Sequence, residues 1–241
     1  MNNVTTESVE SHRNVDLVRS FSFFFEDPHW GSKLFIGSLF GLLIPIVVGH
    51  VLIVGYGVIV ARRRMKRETP YLPEWNDFQN IINDGLRGFS LTLVHAIPIW
   101  VVSVLLCLTI FGGLLLEVGS EVSFGSLYYF GIPTILGGLS LLLILLFGFI
   151  CYVPAAFVRL IQTDRFGAAF DILGIVQFIL EHRKDYVVAL LTIVLAMVIG
   201  FLGSFVFFVG VFPTFFWGIC VVGFVVGELA GLGRPSSTLS Q

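Results

Sequence analysis

Polar and apolar positions are segregated along this chain in long blocks. Four stretches, 34–60, 88–116, 122–158 and 186–227, contain no Asp, Glu, Lys or Arg. A helix needs about 20 apolar residues to cross the hydrocarbon core of a bilayer, so each block can hold at least one spanning helix. The last block would reach about 63 Å as one helix, about twice the hydrocarbon thickness. It must hold two spans, and Gly210 to Pro213 is the natural break. The third block holds one span, entered through Tyr128 and Tyr129. The predicted spans are 34–60, 88–116, 129–157, 186–208 and 212–231. The fold class expected is all-α, an integral membrane helical bundle of about five transmembrane helices over 21–232. A transmembrane β-barrel would show short segments of alternating polarity instead. The polar segments 1–20 and 233–241 read as disordered tails. The first lacks the basic start and apolar core of a secretory signal.

The first block is ambiguous. At 27 residues it would extend about 40 Å as a straight helix, and it can tilt or kink at Pro45. A single kinked span is the preferred reading. The alternative is a re-entrant hairpin turning at Pro45, which requires protein or water to cover its backbone. The basic residues bear on this choice. Arg62, Arg63, Arg64, Lys66, Arg67 and Arg87 follow the first block. Arg159, Arg165, Arg183 and Lys184 lie between the third and fourth spans, and Arg234 lies in the last tail. The loop with Glu117 and Glu121 has no base. Basic loops stay cytoplasmic, so the expected location is a cell membrane, multi-pass, with these segments and the C-terminus inside. Five spans then leave the N-terminus outside with Arg13, Arg19 and Lys33, against the rule. The hairpin would put every base inside.

Between the blocks lie two amphipathic segments. In 76–87, Phe78, Ile81, Ile82 and Leu86 fall at helical spacing opposite Asp77, Gln79, Asn80, Asn83 and Asp84. In 164–182, Phe166, Phe170, Leu173, Val176 and Leu180 do the same. Each reads as an interfacial elbow helix leading into a pair of spans. The chain is thus a pseudo-repeat of elbow, span, span. A shorter unit precedes it, with the aromatic run Phe21 to Phe25 and Trp30. Pro70 and Pro73 stiffen the connector before the first elbow, and Asn76 or Asp77 can cap it.

The succession Asp27-Pro28-His29-Trp30, Ile36-Gly37, Gly55-Tyr56, an arginine-rich turn, Leu72-Pro73-Glu74-Trp75-Asn76-Asp77 and Asp84-Gly85-Leu86 resembles a family of prokaryotic membrane proteins, domain of unknown function 4013. Gly167-Ala168-Ala169-Phe170-Asp171 is similar to that family's second hallmark. The resemblance runs from about residue 21 over nearly the whole chain. It implies a multi-span bundle in a bacterial or archaeal membrane. It carries over no catalytic residue. Before the proline of the second span this chain has His95, where similar proteins more often carry Tyr.

Composition narrows function further. Charged residues make up 12% of the chain, about half the usual share in a soluble domain. The net charge of -2 gives no bulk attraction to nucleic acid. Cys107, Cys151 and Cys220 sit in apolar runs and read as small hydrophobes. No metal array, Walker loop or hydrolase motif occurs, so no cofactor, metal or catalytic residue is expected. Candidate intramembrane polar groups are His50, His95 and Glu228. Arg62, Arg63, Arg64, Lys66 and Arg67 are candidates for contact with anionic lipid. Trp30 and Trp75 are candidate interface anchors. Gly37, Gly41 and Gly49, with Gly223, Gly227 and Gly231, form two stripes suited to close helix packing, within the chain or in a homo-oligomer. The leading expectation is a non-enzymatic accessory or lipid-organising membrane protein whose partners are lipids or an unknown membrane protein. A small transporter or channel with His50 and His95 lining one cavity is the alternative. An intramembrane enzyme has least support.

Overall fold

The computed structural model describes residues 16–119, 131–205 and 210–232, with side chains omitted for 114–119. The start of the third predicted span, the end of the fourth, most of the first expected tail and all of the second lie outside the described residues. Every regular element among the described residues is helical. They are α1 (Leu17–Ser22), α2 (Trp30–Gly41), α3 (Val48–Lys66), α4 (Phe78–Gly119), α5 (Ile132–Thr163), α6 (Ile172–Glu181), α7 (Arg183–Leu202) and α8 (Val211–Leu232), with single 3-10 turns between several of them.

Two expectations change at the N-terminal end. The segment expected as a disordered tail contains α1, whose N-cap Asp16 accepts a hydrogen bond from Arg19 N at 3.1 Å. The preferred single span over 34–60 is two helices, α2 and α3, joined through a 3-10 turn at Ile44–Ile46 that contains Pro45. Proline lacks the donor that would continue the helix, and Val47 then takes φ 64°. The arms run in opposite directions along α8. On α2, Gly41 faces Phe212 and Gly37 faces Phe216. On α3, Gly57 faces Ile219 and Gly223, and Ala61 faces Gly227. As the α8 number rises, the α2 number falls and the α3 number rises. Trp75 Nε1 donates to Lys33 O at the start of α2, and Arg63 near the end of α3 reaches Leu72 O. The hairpin therefore begins and ends at the same level.

The chain divides into two compact units, one formed by Met1–Leu91 with Pro154–Gln241 and the other by Thr92–Val153. In the first, α3 is central. Gly55 lies against Ile81 O, Gly85 against Val51 O, and Gly223 against Gly57 O. A side chain at any of these glycines would collide with the neighbouring backbone, so their absence lets the helices touch. The aromatic run packs on α8, with Phe23 stacked on Phe224 at 4.1 Å and Phe24 edge-on to Phe216 at 6.3 Å.

The second unit comprises Thr92–Val153, parts of α4 and α5. His95 meets Tyr152 at 5.3 Å, and Gly138 faces the Leu106 side chain, so the two segments run antiparallel. Many of its apolar side chains are exposed, among them Trp100, Leu108, Leu143 and Phe147. Among the described residues, four helical segments are long and apolar enough to cross a membrane: Phe78–Gly113, Ile132–Thr163, Arg183–Phe205 and Val211–Leu232. The expected elbow over 76–87 and the span after it form one uninterrupted helix, α4, with Pro98 inside. The second elbow is a separate helix, α6. At the α7–α8 junction, the Thr214 hydroxyl lies 2.8 Å from both Gly200 O and Gly210 O. Gly200 O belongs to the last turn of α7, where carbonyls lack helical donors, and Gly210 O also accepts from Thr214 N at 3.3 Å.

Candidate functional site

The polar chemistry of the first unit gathers at one end. Its first component is the end of α3. Successive helical residues point about 100° apart, so three consecutive arginines fan out to three neighbours. Arg62 reaches Asp84 on α4 at 3.2 Å and Asp164 beyond α5 at 2.8 Å. Arg87 also holds Asp164, at 2.9 Å. Arg63 donates to Pro70 O and Leu72 O at 3.0 and 3.4 Å. Arg64 pairs with Glu228 of α8, donates to Tyr71 Oη at 3.0 Å, and lies over the Phe224 ring at 4.5 Å. The hydrogen bond from Arg62 holds the Asp164 carboxyl below the usual carboxylate range, helped by the charges of Arg62 and Arg87.

The second component is a buried lysine. Lys33 is 2% exposed. Its Nζ lies 2.8 Å from Asp27 Oδ2 and 2.8 Å from Glu74 Oε1, and donates to Leu72 O at 3.2 Å. A buried ammonium requires such partners. The Leu72 to Trp75 connector is fixed from below as well. The Tyr56 hydroxyl donates to Pro73 O at 2.9 Å, and its ring stacks on Trp75 at 4.5 Å. The connector is thus a plug over the open end of the hairpin. A cavity of about 250 Å3 between the aromatic run and 69–72 adjoins Asp27.

The third component is a cleft of about 440 Å3 between the end of α5 and α6, lined by Arg159, Gln162, Gln177, Phe178, Glu181 and His182 along with Gly174. Asp171 caps α6 by accepting from Gly174 N at 3.1 Å, and its other oxygen takes Arg159 Nη2 at 3.3 Å. Sequence reading passed over this cleft. Gln177 and Glu181 share a face four residues apart, which was the available signal.

Several residues singled out from sequence have different surroundings from those expected. Trp75 is buried in the aromatic cluster rather than anchoring at a surface. Its Nε1 donates to Lys33 O at 3.3 Å. Trp30 is partly exposed, with its ring edge-on to Phe25 at 5.2 Å. Arg62, Arg63 and Arg64 hold the scaffold together, which leaves Lys66 and Arg67 as the exposed members of the run. Lys66 lies 3.8 Å from the exposed Glu68. Glu228 is the partner of Arg64 rather than an isolated acid. His50 packs on Phe89 at 5.3 Å, whereas His95 packs on Tyr152. Neither lines either cavity described above. Of the predicted glycines, Gly49 sits against Phe40 O at the hairpin turn, Gly227 against Ala61 O, and Gly231 has nothing within 4 Å. Among the described residues, no three His, Cys, Asp or Glu side chains come together as a metal site.

Among the described residues, these features define an all-α protein with four helices long and apolar enough to cross a bilayer and with ion pairs gathered at one end of the central helices. The chain belongs to the Protein of unknown function (DUF4013) family, whose model matches residues 38–209. No curated protein and no solved structure matches it.

Proposed function

We propose that this is a non-enzymatic polytopic protein of a prokaryotic cell membrane that organises lipid at the cytoplasmic face, alone or as an accessory to a membrane partner. The observation that carries this reading is the division of labour among polar and apolar side chains at the basic end. Lys33, Arg62, Arg63 and Arg64 are occupied in holding helices together. The amphipathic α6 turns Leu173 and Leu180 outward, 84% and 67% exposed. Apolar side chains held outward beside charged ones suit an interfacial helix lying in the headgroup region.

The hairpin supports a consistent topology. If α2 and α3 enter and leave on one face, the four spanning helices return the chain to that face. All fourteen Lys and Arg then lie on the cytoplasmic side, and the loop with Glu117 and Glu121 lies outside. The positive-inside rule favours this arrangement over five spans. The transport alternative requires His50 and His95 to share a polar cavity, and their different aromatic neighbours give it no support.

Purification from native membranes tests the function, with lipids and proteins quantified by mass spectrometry. We expect retained lipid whose class composition differs from the bulk membrane, or a stoichiometric protein partner. Bulk lipid composition with no stoichiometric partner would overturn the reading.

A further inference from the structure

We propose that the cleft between α5 and α6 is a binding site for the headgroup of a zwitterionic phospholipid, with the phosphodiester on Arg159 and a primary ammonium on Glu181. The inference rests on the lipid-organising reading and gives it a site and a ligand class.

The volume, about 440 Å3, falls in the range of roughly 300–1,000 Å3 typical of small-molecule sites. The donors fit a phosphate. Arg159 lines the cleft with its guanidinium under-satisfied. Nη2 has the Asp171 contact at 3.3 Å, and Nε is buried without an acceptor. A planar guanidinium is the side chain best matched to a phosphodiester's two free oxygens. His182 holds its Nδ1 on Phe178 O at 3.1 Å, and its ring stacks on Phe178 at 4.7 Å. This leaves Nε2 as its second polar atom. Gln162 is anchored by donating to Ala230 O at 3.0 Å.

The charge balance selects a zwitterion over an anion. The lining holds one guanidinium and one carboxylate, with a further carboxylate, Asp171, already against the guanidinium. An anionic headgroup would find no excess positive charge. A headgroup carrying one phosphate and one ammonium finds a partner for each. Gln177 donates to Glu181 Oε1 at 2.7 Å and so fixes the carboxylate, whose other oxygen can accept from an ammonium.

The faces of α6 point to a lipid rather than a soluble zwitterion. Ile175 and Phe178 face the protein and are buried. Gly174, Gln177 and Glu181 form the cleft stripe. Ile172, Leu173, Val176 and Leu180 form the next stripe and are exposed. At helical spacing, Leu173 and Leu180 lie beside Gln177 on the surface. A headgroup in the cleft would therefore place its acyl chains against an apolar stripe.

The test uses the full chain in detergent with equal parts of phosphatidylethanolamine, phosphatidylcholine and phosphatidylglycerol. Lipid retained after delipidation is quantified by native mass spectrometry. Wild type should keep one ethanolamine lipid per chain with a preference of about tenfold, a modest free-energy difference. Glu181→Gln, at an exposed position, should abolish the preference for ethanolamine over choline. Arg159→Gln should lower retention of all three. Arg165→Gln, outside the cleft, should match wild type. If Arg159→Gln fails to fold, Glu181→Gln carries the test alone. Soluble glycerophosphoethanolamine at millimolar concentration should not displace the lipid, and displacement would overturn the lipid assignment in favour of a soluble ligand. Retention without preference, or variants that match wild type, would overturn the site while leaving the broader lipid-organising role standing. A chain that retains no lipid from either this mixture or native membranes would remove both.

Discussion

Lys33 is the residue on which the first unit turns. It joins the start of α2 to Asp27, to Glu74 and to the Leu72 carbonyl. Removing one partner of a buried pair leaves the other charge uncompensated. Lys33→Met should therefore cost about 3–5 kcal/mol, read as a lowered midpoint of thermal unfolding in detergent. The sequence marks this residue only as a stray base before an apolar block. Its partners stand six and 41 positions away, and nothing short of the hairpin brings them together. Asp164 is the contrasting case. It is exposed and held by Arg62 and Arg87. Its carboxyl titrates below the ordinary value in the folded chain, so the bridge stabilises fully above the unfolded carboxylate pKa of about 4. That contribution is lost as pH falls through the lower, folded value. Solvent screening keeps it small. Asp164→Asn should lower stability at pH 7 by less than about 1 kcal/mol, and the gap to wild type should narrow in 1 M salt and shrink progressively as acid protonates the carboxyl.

Among the elements, α3 was the least legible and is the most constrained. The apolar block 34–60 has the same composition whether it forms one span or two arms, and Pro45 is compatible with a kink or a turn. The structure resolves the choice through Val47, a β-branched residue at φ 64°. Such a conformation costs on the order of 1–3 kcal/mol. Val47→Gly should recover about 1 kcal/mol of that strain, measured as a raised unfolding midpoint, because glycine reaches positive φ freely. In a continuous kinked helix the same change would destabilise. Glycine spacing was legible as a pattern but not as an assignment. Gly55 and Gly85 fall outside the four-residue series that the eye finds, yet they make the closest backbone approaches. Gly223 and Gly231 belong to one series and have opposite surroundings. Gly223→Leu should separate α3 from α8 at a cost of about 1–3 kcal/mol. Gly231→Ala, facing open space, should be neutral or stabilise by up to about 1 kcal/mol through helix propensity.

At the scale of the molecule, the long apolar blocks made the all-α class and the four long helices legible, because charge is so costly in hydrocarbon that a helix able to cross it must draw on a long uncharged run. The path of the chain was not written there. It depends on whether the first block crosses, and the only sequence signal was the conflict created by Arg13, Arg19 and Lys33 on the wrong side. In the structure, the two ends of the first block come together at one connector, with Lys33 and Arg63 both reaching the Leu72 carbonyl. A pair of arms that closes on itself in this way turns an odd number of crossings into an even one. Both termini should therefore face the cytoplasm, and reporter fusions at each end provide the measurement. A reporter that is active only in the cytoplasm should work at the N-terminus and at the C-terminus alike, whereas one that requires export should work at neither. A single kinked span would give opposite results at the two ends. The Lys33→Met variant adds a second arm to the experiment. If the closed hairpin holds the N-terminus inside, weakening its base should let a fraction of chains insert the first block fully. The N-terminal signal should then become mixed while the C-terminal signal stays cytoplasmic. An unchanged N-terminal signal in a properly inserted variant would mean that the basic residues alone set the topology, with the hairpin following from it.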